Sequence, residues 1–233
     1  MKILLNNDDL NEALNNVSNL GFVPTMGSLH NGHVSLIKRS KKESSKTIVS
    51  IFVNPNQFNS QNDFIKYPRN QKKDLSILRK LKVNFVYMPK IKDIYGNIRK
   101  TKFRLAKKDR ILCAKYRKGH FEGVIDVMKR LTKIIKPKKI FMGDKDYQQL
   151  YLVKKYVGKK SNLRIINCKT IRDTKKLALS SRNALLNKKQ LNKARNFIQE
   201  IIFFKKSLVK KKNLGKIILK KKNDLSKKFN VKI

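Results

Sequence analysis

The chain has 233 residues, 40% of them hydrophobic, with 58 Lys and Arg against 15 Asp and Glu and a formal net charge of +43. This length suits one large domain or two small ones, and the hydrophobic share excludes a disordered chain. Cys113 and Cys168 match no CxxC spacing, so we expect a reducing compartment and no disulfide framework. The N-terminus lacks a signal-peptide pattern, and no apolar stretch approaches the roughly 20 residues of a membrane span. We therefore expect a soluble, cytoplasmic protein.

The basic excess raises the question of nucleic-acid binding, because such a charge attracts any polyanion. Lysines occur in every segment, however, and the sequence has no RNP-type aromatic motif, zinc finger or helix-turn-helix pattern. Codon drift in an AT-rich genome explains the same composition. We expect contact with nucleic acid to be non-specific, through charge alone.

Short apolar runs alternate with amphipathic segments along the first three quarters of the chain. Runs rich in β-branched and aromatic residues predict buried strands at 21–24, 47–53, 83–88, 138–143 and 163–168. Apolar residues at helical spacing predict helices at 33–44, 70–81 and 123–135. Strands separated by such helices indicate βαβ units and a mostly parallel sheet that is covered on both faces. Segment 89–118 has no clear period and fits either extra strands or an extended loop.

The last quarter differs in character. A loop after Cys168 leads into one long helix, for which Asn187 and Gln190 form a capping box. A short second helix follows. We place a domain boundary near residue 170, so that 1–170 forms an α/β domain and 171–233 a small helical domain.

The stretch VPTMGSLHNGH (23–33) joins the first predicted strand to the first predicted helix and contains no Lys or Arg. In open α/β sheets, ligands bind at such carboxyl ends of strands. Gly27 and Gly32 allow a ligand to approach the backbone closely, and the start of the helix offers unpaired N–H groups to a phosphate. His30 and His33 can lie on one side of this entry and donate hydrogen bonds to a phosphoryl oxygen. The alternatives are a pair of surface or core histidines without a ligand, or half of a metal site. Zinc is disfavoured, because no Cys or carboxylate cluster accompanies the pair.

HxGH after a strand and a glycine-bearing loop resembles the signature of the nucleotidylyltransferase superfamily. Five further stretches follow in order: SIFVNPNQF (50–58), YPR (67–69), GHFEGV (119–124), GDKDYQQL (143–150) and LALSSRN (177–183). Together the six resemble the pantothenate synthetases, or pantoate–β-alanine ligases, over roughly residues 20–190. The resemblance implies a Rossmann-like parallel-sheet domain with a small C-terminal lid, and a homodimer formed through the larger domain. It also implies a ligase that joins pantoate to AMP from ATP, releases pyrophosphate, and lets β-alanine displace AMP.

The resemblance further implies roles for individual residues. His33 matches the proton donor, His30 its partner at the phosphates, and Lys145 a catalytic ammonium. Gln57 and Gln149 match the glutamines that hold pantoate or β-alanine. The positions matched to ATP contacts are Met26, Gly27, Ser28, Leu29, His30, Asn31, Gly32, His33, Gly143, Asp144, Lys145, Asp146, Ile171, Leu179, Ser180, Ser181 and Arg182.

Other matched positions carry less definite roles. Asn54, Tyr67, Arg117 and His120 lie in matching stretches as supporting residues, and His120 fits a structural role equally well. We expect Mg²⁺ to be carried mainly by the ATP phosphates rather than by a site built from the protein.

The chain departs from the family pattern at four places. Lys73 then Asp74 stand where adjacent carboxylates are expected, and Leu179 stands where Met is usual. Thr174–Lys175–Lys176 replaces a turn that usually carries an acidic residue and Gly. The sequence ends around where the last strands of the lid are expected, so we expect a shortened lid and weaker ATP binding or turnover. The competing hypotheses are another nucleotidylyltransferase, and a basic nucleic-acid-binding protein on a decayed enzyme scaffold.

Overall fold

Six parallel strands form one sheet in the first part of the chain. The computed structural model describes residues 1–96, 103–158, 162–208 and 213–232. The strands are β1 (Lys2–Leu4), β2 (Leu20–Thr25), β3 (Lys46–Ile51), β4 (Phe85–Tyr87), β5 (Lys139–Gly143) and β6 (Arg164–Cys168). Their spatial order is β1-β4-β3-β2-β5-β6, and every pairing is parallel. The predicted α/β class with a parallel sheet is therefore confirmed.

Helices cover both faces of this sheet. They are α1 (Asn7–Leu14), α2 (Asn31–Glu43), α3 (Gln61–Ile65), α4 (Gln71–Lys80), α5 (Ile91–Tyr95), α6 (Cys113–Tyr116), α7 (His120–Ile135) and α8 (Tyr147–Tyr156). Short 3-10 helices span Pro55–Gln57, Lys107–Asp109 and Asp144–Asp146. Successive residues of β2 point to opposite faces, as the pleat requires: Phe22 belongs to the core that contains Ile125 of α7, and Val23 belongs to the core that contains Ile37 of α2. The two faces thus bury two separate cores.

The five predicted strands are all present, with ends shifted by up to two residues, and the three predicted helices are α2, α4 and α7. β1, α1, α3 and α8 were not predicted, and neither were the 3-10 helices. In segment 89–118, the described residues form α5, α6 and a 3-10 helix, and no strand. Residues 97–102 of that segment lie outside the described residues.

The contacts divide the chain into two units, Met1–Ile171 and Arg172–Ile233. The second unit contains a 3-10 helix at Ser181–Leu185, then α9 (Lys188–Ser207) and α10 (Leu214–Phe229). The predicted capping box is confirmed, because the side chains of Asn187 and Gln190 each accept a hydrogen bond from the other's backbone N–H. The second helix is longer than predicted. The rings of Phe197 and Phe229 pack edge to face with centroids 5.3 Å apart and tie α9 to α10.

None of the helices in the described ranges has the length and hydropathy required to cross a lipid bilayer.

Candidate active site at the carboxyl edge of the sheet

The site is built on the turn between β2 and α2. Gly27 and Ser28 both adopt left-handed backbone conformations there, with φ of 78° and 50°. The hydroxyl of Thr25, at the end of β2, donates to the carbonyl of Ser50 (2.7 Å) and accepts from the N–H of Gly27 (3.2 Å). These bonds start the turn directly at the end of the strand.

A buried carboxylate holds the rest of the turn. Asp74 of α4 is only 1% exposed. One of its oxygens accepts from the N–H of Ser28 (2.8 Å) and the other from the N–H of Leu29 (2.7 Å). The sequence indicated Asp74 only as a possible metal ligand, so its hydrogen bonds to the β2–α2 turn were not predicted. The available signal was its place on the buried stripe of a predicted helix, four residues before Leu78.

His30 and His33 begin α2 and contact each other. Their ring centroids are 4.2 Å apart. The Nδ1 atom of His30 accepts from the N–H of Gly32 (3.0 Å), and Nδ1 of His33 accepts from the N–H of His30 (3.3 Å). Because a backbone N–H can only donate, both Nδ1 atoms are unprotonated, and each neutral ring carries its hydrogen on Nε2. The predicted placement of both rings on one side of the helix entry is confirmed.

Burial keeps both rings neutral. It is the main reason why the pKa of His33 falls from 6.5 to about 3, and repulsion from His30 in its protonated form and from the Lys145 ammonium adds to the decrease. Burial, and then Lys145, lowers the pKa of His30 as well. At neutral pH the pair therefore offers two N–H donors and no net charge.

Lys145 comes to the same edge from another part of the chain. It follows β5, which pairs with β2, and its charge influences both imidazoles. The ammonium lies 3.2 Å from a carboxylate oxygen of Asp146, and the Lys145 side chain is 36% exposed. One carboxylate oxygen of Asp144 is buried and has no hydrogen-bond partner within the described ranges. The structure thus brings Gly143–Asp146 beside the histidine pair.

Gln57 lies next to the same turn. Its amide nitrogen is 3.0 Å from the sulfur of Met26, and its amide oxygen accepts from Asn54 (3.2 Å). Asn54 is buried and accepts a 2.7 Å bond from the hydroxyl of Tyr95. Burial raises the pKa of Tyr95, and the nearby Asp126 raises it further. Tyr95 was missed, because it lies in the segment that showed no clear period.

The backbone around Gln57 is held by α7. Nδ1 of His120 is 2.6 Å from the carbonyl oxygen of Gln57, so this nitrogen donates. Gly123 lets the helix approach, because a Cβ there would lie 2.1 Å from the carbonyl oxygen of Asn56. Nearby, Tyr67 is buried with its ring edge to face against Phe58. Asn54, Tyr67 and His120 thus all contact the segment 57–58 that carries Gln57.

The remaining predicted positions of the first unit lie at the ends of helices or at the end of the unit. Asn31 is exposed in the first turn of α2, and Arg117 is half-buried at the end of α6. Gln149 is half-buried in the first turn of α8, and its side chain forms no hydrogen bond with another described residue. Ile171 ends the first unit.

Leu179, Ser180, Ser181 and Arg182 belong to the second unit, where the Ser180 hydroxyl caps a 3-10 helix by accepting from the N–H of Arg182 (3.3 Å). The turn before this motif contains no glycine. Lys176 adopts the left-handed conformation with φ of 69°. Asp173 accepts from the N–H of Leu177 (2.9 Å) and from Arg195 (2.8 Å), so it supplies a carboxylate to the turn.

In the described part of the chain, no three His, Cys, Asp or Glu side chains come together in a cluster able to hold a metal ion.

Comparison with known proteins gives a consistent result. A family model described as pantoate-beta-alanine ligase matches residues 2–232. A pantothenate synthetase of Pseudothermotoga lettingae is 40% identical over 198 residues, which are 83% of this chain and 70% of that protein. One from Francisella tularensis subsp. novicida is 46% identical over 186 residues, which are 78% of this chain and 70% of that protein.

Solved structures of similar fold are from the same family. A pantoate-beta-alanine ligase from Francisella tularensis, complexed with beta-gamma ATP and beta-alanine, superposes with a TM-score of 0.86 at 36% identity, over 99% of this chain and 85% of that one. A pantothenate synthetase from Thermus thermophilus gives 0.82 at 33% identity, over 87% of this chain and 74% of that one.

Proposed function

Because this chain belongs to the pantoate–β-alanine ligase family, we propose that it condenses (R)-pantoate with β-alanine and ATP to give pantothenate, AMP and pyrophosphate. The observation that carries the proposal is the convergence of two neutral imidazoles and the Lys145 ammonium at the turn after β2, with Gln57 beside Met26. The Francisella tularensis relative, solved with ATP and β-alanine, supports the same ligands for this chain.

In the first step, a carboxylate oxygen of pantoate attacks the α-phosphorus of ATP. The bond from that phosphorus to the oxygen bridging to the β-phosphate breaks, and pyrophosphate leaves with the bonding electrons. Negative charge grows on the α-phosphate oxygens and on the leaving group. The Nε2–H groups of His30 and His33, the N-terminus of α2 and Lys145 stabilise that charge. Lys145 exchanges its exposed contact with Asp146 for the phosphates.

In the second step, the uncharged amine of β-alanine attacks the carbonyl carbon of pantoyl adenylate. The carbon–oxygen bond to AMP breaks, AMP leaves with the electron pair, and the amine loses a proton to solvent. Gln57 and Gln149 hold pantoate, because a primary amide both donates to and accepts from hydroxyl and carboxylate groups. The contact from Asn54 keeps the amide of Gln57 in one orientation.

The second unit supplies the remaining phosphate contacts in this proposal. Ser180, Ser181 and Arg182 offer two hydroxyls and a guanidinium, which suit the oxygens of the β- and γ-phosphates. Mg²⁺ enters as part of the ATP·Mg substrate, carried by the phosphates.

A substrate-omission assay tests the overall reaction. Multiple turnovers, with AMP and pyrophosphate released in equal amounts, should occur only when pantoate, β-alanine and ATP·Mg are all supplied. We expect His33→Ala and Lys145→Ala each to lower kcat by about 10²–10³-fold, since each removes a donor to the developing charge. Lys154→Ala is the matched control, because Lys154 is an exposed lysine of α8. Full activity in the first two variants would refute these roles.

Isotope exchange tests the adenylate separately. With pantoate present and β-alanine absent, labelled pyrophosphate should enter ATP as adenylate formation reverses. If the complete reaction proceeds and no exchange is detected, the adenylate step is wrong while the overall reaction stands.

A further inference from the structure

We propose that Asp74 is a positioning residue of the active site, which holds the β2–α2 turn by accepting two backbone hydrogen bonds, and that it is not a metal ligand. The role assigned to this turn rests on the proposed function. The hydrogen bonds of Asp74 do not depend on that function. Both carboxylate oxygens are engaged, with the N–H of Ser28 at 2.8 Å and the N–H of Leu29 at 2.7 Å. The carboxylate is 1% exposed, so water does not compete for these bonds.

The turn needs such a partner because its backbone is strained. Ser28 has a Cβ and still adopts a φ of 50°, a conformation that L-residues with side chains avoid. The two N–H groups that Asp74 binds belong to this residue and to the next one. Bonds from N–H groups to a carboxylate are stronger than those to a neutral oxygen. Asp74 therefore stabilises the conformation that Ser28 would otherwise leave.

The turn also packs directly against the carboxylate. A Cβ on Gly27 would lie 3.0 Å from an oxygen of Asp74 and 3.2 Å from a side-chain carbon of Ile51. The residue after the clamped pair is His30, the N-cap of α2, and the residue before Gly27 is Met26, which contacts Gln57. A shift of the turn would thus move the imidazoles and the contact to Gln57 together.

The surroundings of Asp74 disfavour a metal ion. Both oxygens already accept amide hydrogen bonds, and the preceding residue is Lys73, where the family pattern leads one to expect a second carboxylate. Asp74 lies in the first turn of α4, where the helix dipole favours a negative group. The two amide hydrogen bonds and the dipole of α4 therefore stabilise the negative charge of this carboxylate without a cation.

Asp74→Asn tests the proposal, because it keeps the shape and replaces one acceptor oxygen by an NH₂ donor that faces a backbone N–H. We expect kcat to fall about 10- to 100-fold, as displacement of reacting groups does. The Mg²⁺ concentration that gives half-maximal rate should stay unchanged. A higher Mg²⁺ requirement with rescue at high Mg²⁺ would identify a metal ligand and overturn the proposal. Lys73→Ala is the control, because it changes the neighbouring residue on α4, whose side chain is exposed.

Two measurements do not depend on activity, so they can show that the proposed role of Asp74 is wrong even if the proposed function is right, and the reverse. In ¹⁵N spectra of the unliganded protein, Asp74→Asn should shift the imidazole nitrogens of His30 and His33 and leave those of His120 unchanged. In the wild type, the N–H groups of Ser28 and Leu29 should exchange with deuterium slowly. Exchange of both as fast as that of an exposed loop would overturn the proposal, whether or not the variant folds.

A double variant adds a rescue test. Ser28→Gly removes the unfavourable left-handed strain, so the turn depends less on its clamp. We expect Ser28→Gly with Asp74→Asn to recover at least about 3-fold in kcat over Asp74→Asn alone, as a less strained turn keeps the reacting groups in place. A double variant slower than Asp74→Asn would contradict the proposed role of the strain.

Discussion

At the scale of single residues, His30 and His33 are organised by the backbone rather than by each other. Each Nδ1 accepts from an N–H group in the first turn of α2, which leaves both Nε2–H groups as donors. The HxxH spacing predicted that the rings lie together. It could not predict their neutral state, because that depends on burial and on Lys145, which another strand brings in.

The pKa of His33 has a consequence for stability. It is about 3 in the folded protein against an ordinary 6.5, so between these pH values the unfolded chain binds a proton that the folded chain does not. The free energy of unfolding therefore has its full value with respect to His33 above pH 6.5 and decreases as the pH falls toward 3. The decrease is up to about 1.4 kcal/mol per pH unit.

Urea unfolding of the wild type and of His33→Gln between pH 7 and about pH 4.5 measures this effect. The stability advantage of the wild type over the variant should shrink as the pH falls. Parallel curves for the two proteins would show that the imidazole is not buried in its neutral form.

At the scale of secondary structure, the sequence predicted the elements whose pattern is long and continuous. Residues 47–53 form an apolar run that is buried on both faces, and α7 carries a clear helical stripe of buried side chains. β1 has only three residues at the edge of the sheet, which is too few for a pattern. α8 begins inside the GDKDYQQL motif. These residues were interpreted as a ligand-binding motif, and their helical pattern was overlooked.

Site residues held by long-range contacts were the hardest to predict. Asp74 acts on a turn more than forty positions away, and Tyr95 acts on Asn54 across a similar separation. No spacing within a motif reveals such a contact. The motif residues could be placed at one edge of the sheet from the sequence, because they follow β2 and β5, and parallel strands end at the same edge.

The packing of α7 on the Pro55–Gln57 helix depends on Gly123. In Gly123→Ala the new methyl carbon would lie 2.1 Å from the carbonyl oxygen of Asn56 and 3.0 Å from the nitrogen of Gln57. We expect a loss of about 1–3 kcal/mol in unfolding free energy and a higher KM for pantoate, as the two elements separate.

Gly215→Ala is the matched control, since a Cβ there meets nothing within 4 Å. Its stability should be unchanged or rise by up to about 1 kcal/mol from helix propensity. Calorimetry and steady-state kinetics on both variants give the comparison. Equal effects of the two substitutions would contradict the close packing at Gly123.

At the scale of the whole molecule, 58 Lys and Arg side chains far outnumber the 15 carboxylates of Asp and Glu that could pair with them. Several of the few carboxylates bind specific cations, such as Asp109 with Lys155 and Glu200 with both Lys221 and Lys228. The remaining basic side chains repel one another and attract polyanions, an effect that salt screens. ATP would therefore adhere weakly to many places on this surface at low salt, and simple binding would not identify the site.

The three histidines provide a probe that distinguishes the site from the surface. Nδ1 of His120 donates to a carbonyl, whereas Nδ1 of His30 and of His33 accepts, so the two tautomers give different ¹⁵N patterns. The decisive measurement is a titration of ¹⁵N-histidine-labelled protein with ATP·Mg and pantoate at physiological salt. We expect the Nε2 resonances of His30 and His33 to shift together and to follow one saturable binding curve for a single ATP site. Saturable ATP binding that leaves both resonances unchanged would show that the triphosphate binds elsewhere.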